Sequence, residues 1–308
     1  RYRSYHGSTM GAGNLTGEPR RFNCETNGVS GYIKFFDPYI YREPIEFKSE
    51  VEATKYYLAK LREQIIYENP ETVAAIECET ITGSNGCIIP PDGYLQGIRD
   101  ICDEFGIMMI CDEVMMGWGR TGEYFAFQNW DVKPDLVSFA KGVTCGYAPL
   151  GGVIVSKKIA EYFDDHKLLC GLTYSGHPLS CAAGVATLDV YKEEKLVENS
   201  KAMGKILGEI LEELKRKHPC VGDVRYKGLF SALELVKDKA TKEPLVEYNS
   251  DPDNTMGKII GSLKKKGFST YSHENCIIVA PPLIIKEDEL RAAMDIMDEV
   301  LGEVDKMI

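Results

Sequence analysis

An aspartate and a lysine stand directly after two short apolar segments of the sequence. Asp112 follows IMMIC (107–111), and Lys141 follows LVSFA (136–140). Both segments are typical of strands buried in a parallel sheet, and ligands of such sheets bind beyond the carboxyl ends of the strands. The pattern therefore offers a carboxylate and an amine to one crevice. A lysine at the end of an apolar strand can be partly desolvated, which favours the neutral, nucleophilic amine.

A purely structural interpretation of the same two residues stays open at this point. Lys141 would then be an exposed loop residue, and Asp112 would begin a turn after its strand. Spacing alone does not separate the two interpretations, so the elements around the pair and the remaining motifs have to decide.

The elements of the N-terminal two thirds indicate an α/β architecture with a mostly parallel sheet. The predicted strands are 73–79, 107–111, 136–140 and 151–156. Between the first two, residues 92–106 predict a helix that Asp92 caps and Gly106 closes.

After Pro178 the pattern changes to that of a small α+β domain. The predicted elements are helices at 178–196 and 198–218, an antiparallel strand pair at 221–228 and 229–236, a helix at 256–267, a strand at 276–285 and a helix at 287–307. We place the domain boundary at residue 195, which gives a large domain, 1–195, and a C-terminal small domain, 196–308.

Composition limits the class of protein. The 36 Lys and Arg against 47 Asp and Glu give a net charge of −11, which argues against nucleic acid or an anionic membrane as the main partner. The sequence contains no run of 18 apolar residues, so we expect no transmembrane helix. The ten cysteines form no C-x-x-C pair and the five histidines have no ligand spacing, so we expect reduced thiols, a cytoplasmic location and no metal site.

Two blocks around Asp112 and Lys141 carry a resemblance to a known family. CDEVMMGWGRTGEYFAFQ (111–128) and PDLVSFAKGVTCGYAPLGG (134–152) are similar to the central blocks of class III pyridoxal-phosphate aminotransferases. YHG (5–7), LTYSGHPLSCAAG (172–184) and APPLII (280–285) resemble further blocks, in the family's order. The resemblance implies the fold of a fold-type-I transferase that depends on pyridoxal phosphate.

The resemblance also implies roles for individual residues. Lys141 would form the Schiff base with the cofactor, Asp112 would pair with its pyridine nitrogen, and Tyr5 and Val114 would stack on the two faces of its ring. Thr173 would reach the phosphate in the neighbouring subunit, which implies a homodimer.

Two further residues belong to the same implied site. His6 lies within the YHG block and is expected near the cofactor, although a structural hydrogen bond explains it equally well. Glu79 stands where the family places a glutamate ahead of a G-x-x-G turn, here GSNG (83–86).

GWGRTG (117–122) also spells the G-x-G-x-x-G fingerprint of dinucleotide-binding proteins. Such a fingerprint opens a helix directly after its strand. Here four residues separate Asp112 from Gly117, and the residues that follow lack a helical period. We therefore interpret these glycines as a tight turn rather than as a nicotinamide site.

Three departures from the family pattern bear on the substrate. Ile278 replaces an Arg before APPL, Ser84 replaces a Glu in the turn, and Met115 replaces a Gln. In the family, that Arg and Glu gate an α-carboxylate, so their joint loss favours pyruvate over 2-oxoglutarate as acceptor. The anchor for an anionic donor is not evident; Tyr271, Ser272 and His273 could bind an anion or form a surface turn.

These observations predict an aminotransferase that moves the amino group of an ω-amino acid, of the taurine or β-alanine type, to pyruvate. The resemblance is strongest to taurine–pyruvate and related ω-amino acid–pyruvate enzymes. The alternatives are an aminomutase or decarboxylase on the same fold, a 2-oxoglutarate-dependent aminotransferase, and a catalytically incomplete fragment. The last alternative arises because family members carry a phosphate-cupping turn before the YHG block, so we expect these 308 residues alone to bind cofactor weakly.

Overall fold

The computed structural model describes residues 1–23 and 30–308, which form two compact units. The terminal unit comprises Arg1–Glu46, Ile81–Ile89 and Glu198–Ile308, and the central unit comprises Phe47–Thr80 and Pro90–Val197. These units are sets of mutually packed residues, so the domain boundary at residue 195 stays a prediction.

The regular elements of the described residues follow one another along the chain. The helices are α1 (Met10–Leu15), α2 (Glu50–Tyr67), α3 (Tyr94–Phe105), α4 (Lys157–Asp165), α5 (Pro178–Glu193), α6 (Leu196–Lys217), α7 (Thr255–Lys265) and α8 (Glu287–Val304). The strands are β1 (Ala75–Glu79), β2 (Met108–Asp112), β3 (Leu136–Phe139), β4 (Gly152–Val155), β5 (Val221–Lys227), β6 (Phe230–Asp238), β7 (Glu243–Pro244), β8 (Ser272–His273) and β9 (Cys276–Val279).

The central unit contains a four-stranded sheet in the order β1-β2-β3-β4. The first three strands are parallel, as the short apolar segments predict. β4 is antiparallel to β3, so the sheet is mostly parallel rather than parallel throughout. The apolar run 151–156 is typical of a strand buried on both faces, but this expectation is wrong for β4, because Val153, Ile154 and Val155 are exposed.

Helix α3 connects β1 to β2 and ends as predicted. Gly106 closes it in the left-handed conformation at φ 69°, which glycine adopts without steric cost. The predicted cap at Asp92 is wrong: the helix begins after Gly93, which makes no side-chain cap.

Helix α2 has no counterpart among the predicted elements, although the sequence contains its signal. Its buried positions recur every four residues, which is the spacing of one helical face. They are Ala53, Tyr57, Leu61 and Ile65. Its N-cap, Ser49, accepts a hydrogen bond from the backbone of Glu52 at 3.3 Å.

The terminal unit contains an antiparallel sheet in the order β5-β6-β9-β8, with β7 paired to β6. The predicted pair at 221–228 and 229–236 is confirmed as β5 and β6. The strand predicted at 276–285 ends at Val279, because Pro281 and Pro282 have no backbone N–H to donate to a neighbouring strand. The apolar stripe of the final helix is confirmed as core, with Leu290, Met294, Met297 and Leu301 buried.

In the part of the chain that the structure describes, each helix is too short or too polar to cross a bilayer.

The core of the terminal unit depends on the central strand β6. Leu233 of β6 is fully buried in the cluster that also contains Leu211 of α6 and Leu301 of α8. Leu233→Ala should lower the free energy of unfolding by about 2–5 kcal/mol, because it removes buried methyl groups and leaves a cavity. Denaturant titration measures this, with the exposed Ile284→Ala as the control that should change little. Equal effects of the two substitutions would contradict this assignment of the core.

Candidate active site

The strand register brings the predicted carboxylate and amine to the same edge of the sheet. Glu79 of β1 lies opposite Asp112 of β2, and Asp112 lies opposite Ser138 of β3. Lys141 follows Ser138 by three residues and begins the turn after β3. Asp112 therefore ends β2, and Lys141 lies two residues beyond the end of the adjacent parallel strand β3, at the edge where the crevice of such a sheet lies.

Asp112 is fixed by the backbone that follows it. Its carboxylate is buried, and Oδ1 accepts a hydrogen bond from the backbone N–H of Val114 at 2.9 Å. This local bond makes an Asx-type turn that orients the carboxylate at the strand end. Glu79, the neighbouring predicted site residue, is also buried.

Glu113 accepts hydrogen bonds from three donors and was not among the predicted site residues. Oε1 accepts from the Thr80 hydroxyl at 2.5 Å and from the backbone N–H of Phe127 at 3.0 Å. Oε2 accepts from the backbone N–H of Ala126 at 2.8 Å. The carboxylate thus ties the segment after β2 to the segment after β1 and to residues 126–127. The signal was present in the D-E-V block, whose glutamate carries no role in the resemblance.

Burial raises the pKa of Glu113 to about 7, although its three donors favour the charged form. Because the pKa in the folded state exceeds the ordinary value of 4.5, the protonated group adds stability that is complete below about pH 4.5. This stability is lost as the pH rises through 7.

Lys141 lies in a constrained turn. Its φ is +46°, in the left-handed region that is unusual for a residue with a side chain. The buried Tyr191 donates from its hydroxyl to the Gly142 carbonyl at 3.2 Å. A Cβ on Gly142 would lie 2.8 Å from the Cβ of Trp118, so glycine is required there. Tyr191 and Trp118 hold the turn that carries the lysine, and no sequence signal marked Tyr191.

The desolvation expected for Lys141 is not observed. Its side chain is exposed, whereas the apolar strand before it predicted partial burial. The strand ends at Phe139, so the lysine lies two residues beyond it and not within the packed sheet.

The GWGRTG segment forms turns rather than the start of an α-helix. Gly119 and Gly122 have φ of +84° and +85°, and the following regular element is a five-residue 3-10 helix, Ala126–Trp130. This geometry lacks the helix N-terminus that a dinucleotide fingerprint needs.

The remaining cofactor-binding predictions fall in different places. Thr173 is exposed in the segment before α5. Tyr5 and His6 belong to the terminal unit. The Tyr5 hydroxyl lies 3.1 Å from the Ser8 hydroxyl, and the backbone N–H of His6 donates to the Thr16 hydroxyl at 2.9 Å. The roles of all these residues stay predictions.

The three departures that bear on substrate have distinct environments. Ile278 is buried in β9, where it faces Ala232 of β6. Ser84 accepts a hydrogen bond from Nη2 of Arg20 at 3.1 Å. Met115 is half-buried. Arg20 was not predicted as a site residue, and its place in the run PRR gave no signal.

His273 is not part of an exposed turn. It forms β8 with Ser272, and its Nε2 lies 3.9 Å from Oε2 of Glu18. Burial lowers its pKa, although Glu274 and Glu18 act in the opposite direction. His273 is therefore neutral near pH 7.

Comparison with known proteins identifies the family. The sequence profile described as "Aminotransferase class-III" matches residues 2–301, so the chain belongs to this family. The solved structure of taurine:2-oxoglutarate aminotransferase from Bifidobacterium kashiwanohense, in complex with PLP and glutamate, is 50% identical with a TM-score of 0.95, over 99% of this chain and 69% of that one.

Two curated relatives are 34% identical. Taurine–pyruvate aminotransferase of Bilophila wadsworthia matches 99% of this chain, and putrescine–pyruvate aminotransferase of Pseudomonas aeruginosa matches 94%. The chain spans about two thirds of the length of these relatives, 67% and 62% respectively. The predicted fold class is confirmed. The chain contains a mostly parallel sheet, it belongs to the class III aminotransferases, and its structure is similar to that of a solved transaminase.

The buried Glu113 gives a test of the loops at the sheet edge. Over pH 4.5–7, the free energy of unfolding of the wild type should fall by about 3 kcal/mol relative to Glu113→Gln, because the charged carboxylate is costly when buried. Denaturant titration at several pH values measures the difference. The exposed Glu71→Gln is the matched control, and parallel pH profiles for the wild type and Glu113→Gln would contradict the raised pKa.

Proposed function

We propose that this protein transfers an amino group from an ω-amino acid of the taurine or β-alanine type to a 2-oxo acid, with pyridoxal phosphate as cofactor. The observation that carries the proposal is the placement of Asp112 and Lys141 at the ends of adjacent parallel strands. Membership of the class III aminotransferases supports it, as does the neighbour that is solved with PLP.

The chemistry of the residues fits this cofactor. A buried carboxylate suits a protonated pyridine nitrogen, because charge pairing holds the proton there. An exposed amine on a fixed turn suits a cofactor aldehyde that must reach it from outside. The residues that would hold the cofactor are Lys141, Asp112, Val114, Tyr5, His6, Glu79 and, in the neighbouring subunit, Thr173.

Each residue then has a defined task. Pyridoxal phosphate, when bound, draws electrons away from the carbon that carries the substrate's amino group. Asp112 would hold a proton at the pyridine nitrogen. Lys141 would act as the general base that takes the proton from the amino-bearing carbon of the donor. Tyr191 and Trp118 keep the lysine's turn in place for this transfer.

Pyruvate is the acceptor that the sequence favours. Ile278 and Ser84 stand where related enzymes have the Arg and Glu that gate the carboxylate of 2-oxoglutarate. A second acceptor, 2-oxoglutarate, is supported by the neighbour that is 50% identical and whose name specifies it. We retain pyruvate as the proposal and 2-oxoglutarate as its competitor.

The proposal includes a homodimer in the cytoplasm. The exposure of Thr173 is compatible with a homodimer in which it reaches the neighbour's cofactor. The nine cysteines that the structure describes form no disulfide with one another, which supports a reducing compartment such as the cytoplasm.

The amine of Lys141 can be tested directly on the full-length protein. Borohydride treatment with pyridoxal phosphate should add the reduced cofactor's mass to the peptide that contains Lys141. Lys141→Ala should lose this label and at least about 100-fold of the transamination rate, because the general base is removed. Lys133→Ala, an exposed lysine of the same unit, is the control. A label on another peptide, or an active Lys141→Ala protein, would contradict the assignment.

A panel of donors and acceptors tests the reaction. Taurine and β-alanine are each combined with pyruvate or 2-oxoglutarate, and the new amino acid is measured by chromatography. We expect alanine from pyruvate at a higher kcat/KM than glutamate from 2-oxoglutarate. Glutamate as the main product would replace the proposed acceptor. Conversion of the donor without any 2-oxo acid would indicate an aminomutase or decarboxylase.

A further inference from the structure

Glu113 is a fully buried acid to which the proposed function gives no task. It follows Asp112 directly, and the donors to its carboxylate belong, like both acids, to the central unit. Because burying an ionisable group costs free energy, the contacts of Glu113 indicate what the group contributes to its surroundings.

The main chain of Glu113 continues the sheet beyond Asp112. Its N–H donates to the Ser138 carbonyl of β3 at 2.9 Å, and its own carbonyl accepts from the Gly117 N–H at 2.8 Å. A Cβ on Gly117 would lie 2.8 Å from that carbonyl oxygen, so a side chain there would displace the main chain. Because successive side chains of an extended chain point to opposite faces, those of Asp112 and Glu113 leave the chain on opposite sides.

The side chain of Glu113 anchors the face opposite Asp112. Thr80, whose hydroxyl donates to Oε1, lies one residue beyond β1, as Glu113 lies one residue beyond β2. This contact therefore joins the ends of the two strands. The backbone N–H groups of Ala126 and Phe127 hold the carboxylate from a third segment. Together these bonds prevent the chain at residue 113 from rotating about its own axis.

Asp112 takes its orientation from the same short segment. Its Oδ1 accepts from the backbone N–H of Val114 at 2.9 Å, so residue 113 is the centre of the turn. A rotation of the backbone at Glu113 would change the direction in which the Asp112 carboxylate points. The hydrogen bond of the Val114 N–H therefore indicates whether Asp112 is held in place.

The charge of Glu113 also acts on Asp112. Burial is the main cause that raises the pKa of Glu113 to about 7, and the negative charge of Asp112 raises it further. An interaction between two charges is reciprocal, so an ionised Glu113 favours a positive charge close to Asp112. The proposed function places a protonated pyridine nitrogen there.

We infer that Glu113 is a positioning residue, which holds the Asp112 carboxylate in the direction of the cofactor's pyridine nitrogen and adds a second negative charge behind it. Glu113 acts through Asp112, which is the residue that would contact the cofactor. The inference rests on the proposed function, because it takes Asp112 to be the partner of that nitrogen.

Hydrogen exchange at the Val114 amide tests the positioning on the full-length protein, with or without cofactor. In Glu113→Gln an amide group replaces one acceptor oxygen and faces a donor, so the anchoring bonds cannot all be kept. The protection of Val114 should fall at least about 10-fold more than that of the β2 amides, the loss expected for hydrogen bonds to a charged group. Equal losses at Val114 and in β2 would overturn the inference.

A matched control separates positioning from a general loss of stability. Ile98→Val removes a methyl group from a fully buried residue of α3 in the same unit. It lowers stability without touching the contacts of Glu113. Its effect on Val114 should equal its effect on the β2 amides, and a selective loss at Val114 would contradict the use of this amide as an indicator of Asp112.

The pyridine nitrogen gives a second measurement, which a loss of stability alone would not change. Pyridoxal phosphate labelled with the heavy nitrogen isotope is bound to the full-length protein, and its nitrogen chemical shift is followed against pH. Glu113→Gln should lose the ring proton at a pH at least about one unit below the wild type, because anchor and charge are both removed. Ile98→Val should titrate like the wild type. Identical titrations of wild type and Glu113→Gln would leave Glu113 a structural role only and overturn the inference.

A pair of variants at Thr80 guards against misfolding of Glu113→Gln. Thr80→Val removes the hydroxyl and keeps the carboxylate with its two backbone donors, so Val114 protection should fall by about 3-fold. Thr80→Ser restores the hydroxyl and should behave like the wild type. The same protection of Val114 in both variants would contradict the anchoring.

The two measurements distinguish this inference from the proposed function. If the wild type binds no pyridoxal phosphate, the proposed function fails. The exchange of the Val114 amide needs no cofactor and then decides by itself whether Glu113 positions Asp112.

Discussion

The parallel register of three short strands is the constraint on which the candidate active site depends. Because Glu79, Asp112 and Ser138 lie in one row across β1, β2 and β3, the segments after these strands emerge at one edge of the sheet. A shift of one residue in β2 would turn Asp112 to the other face of the sheet. Burial of Ile76, Met109 and Val137 fixes the register, so the packing of apolar side chains determines where Asp112 lies.

Buried polar contacts then stabilise the loops that leave this edge. Glu113 accepts three hydrogen bonds and connects segments that are distant in sequence. Tyr191 of α5 stabilises the turn that begins at Lys141, because its hydroxyl donates a hydrogen bond to the Gly142 carbonyl. Burial of Glu113 costs desolvation, as its raised pKa indicates, and its three hydrogen bonds offset part of that cost while they hold the loops in place.

Ser84 and Ile278 are two of the three positions at which this chain departs from the pattern that its resemblance to class III aminotransferases implies. Where related enzymes pair a C-terminal arginine with a glutamate in the turn, this chain has a buried Ile278 and a small hydroxyl at 84. A lone buried charge at either position would be costly, so the two losses belong together. The Ser84 hydroxyl accepts a hydrogen bond from Arg20, whose half-exposed guanidinium also pairs with the buried Glu18.

The sequence by itself determined the α/β class, the two strands that precede the crevice residues Asp112 and Lys141, and the family, because apolar periodicity and ordered motifs are local properties of a chain. Only the tertiary structure decided that β4 is antiparallel and exposed, that Lys141 is not desolvated, and that Tyr191, Glu113 and Arg20 approach the predicted residues. The contacts of Glu113, Tyr191 and Arg20 join residues that are 33, 49 and 64 positions apart, and the energy of such contacts exists only when the chain has folded.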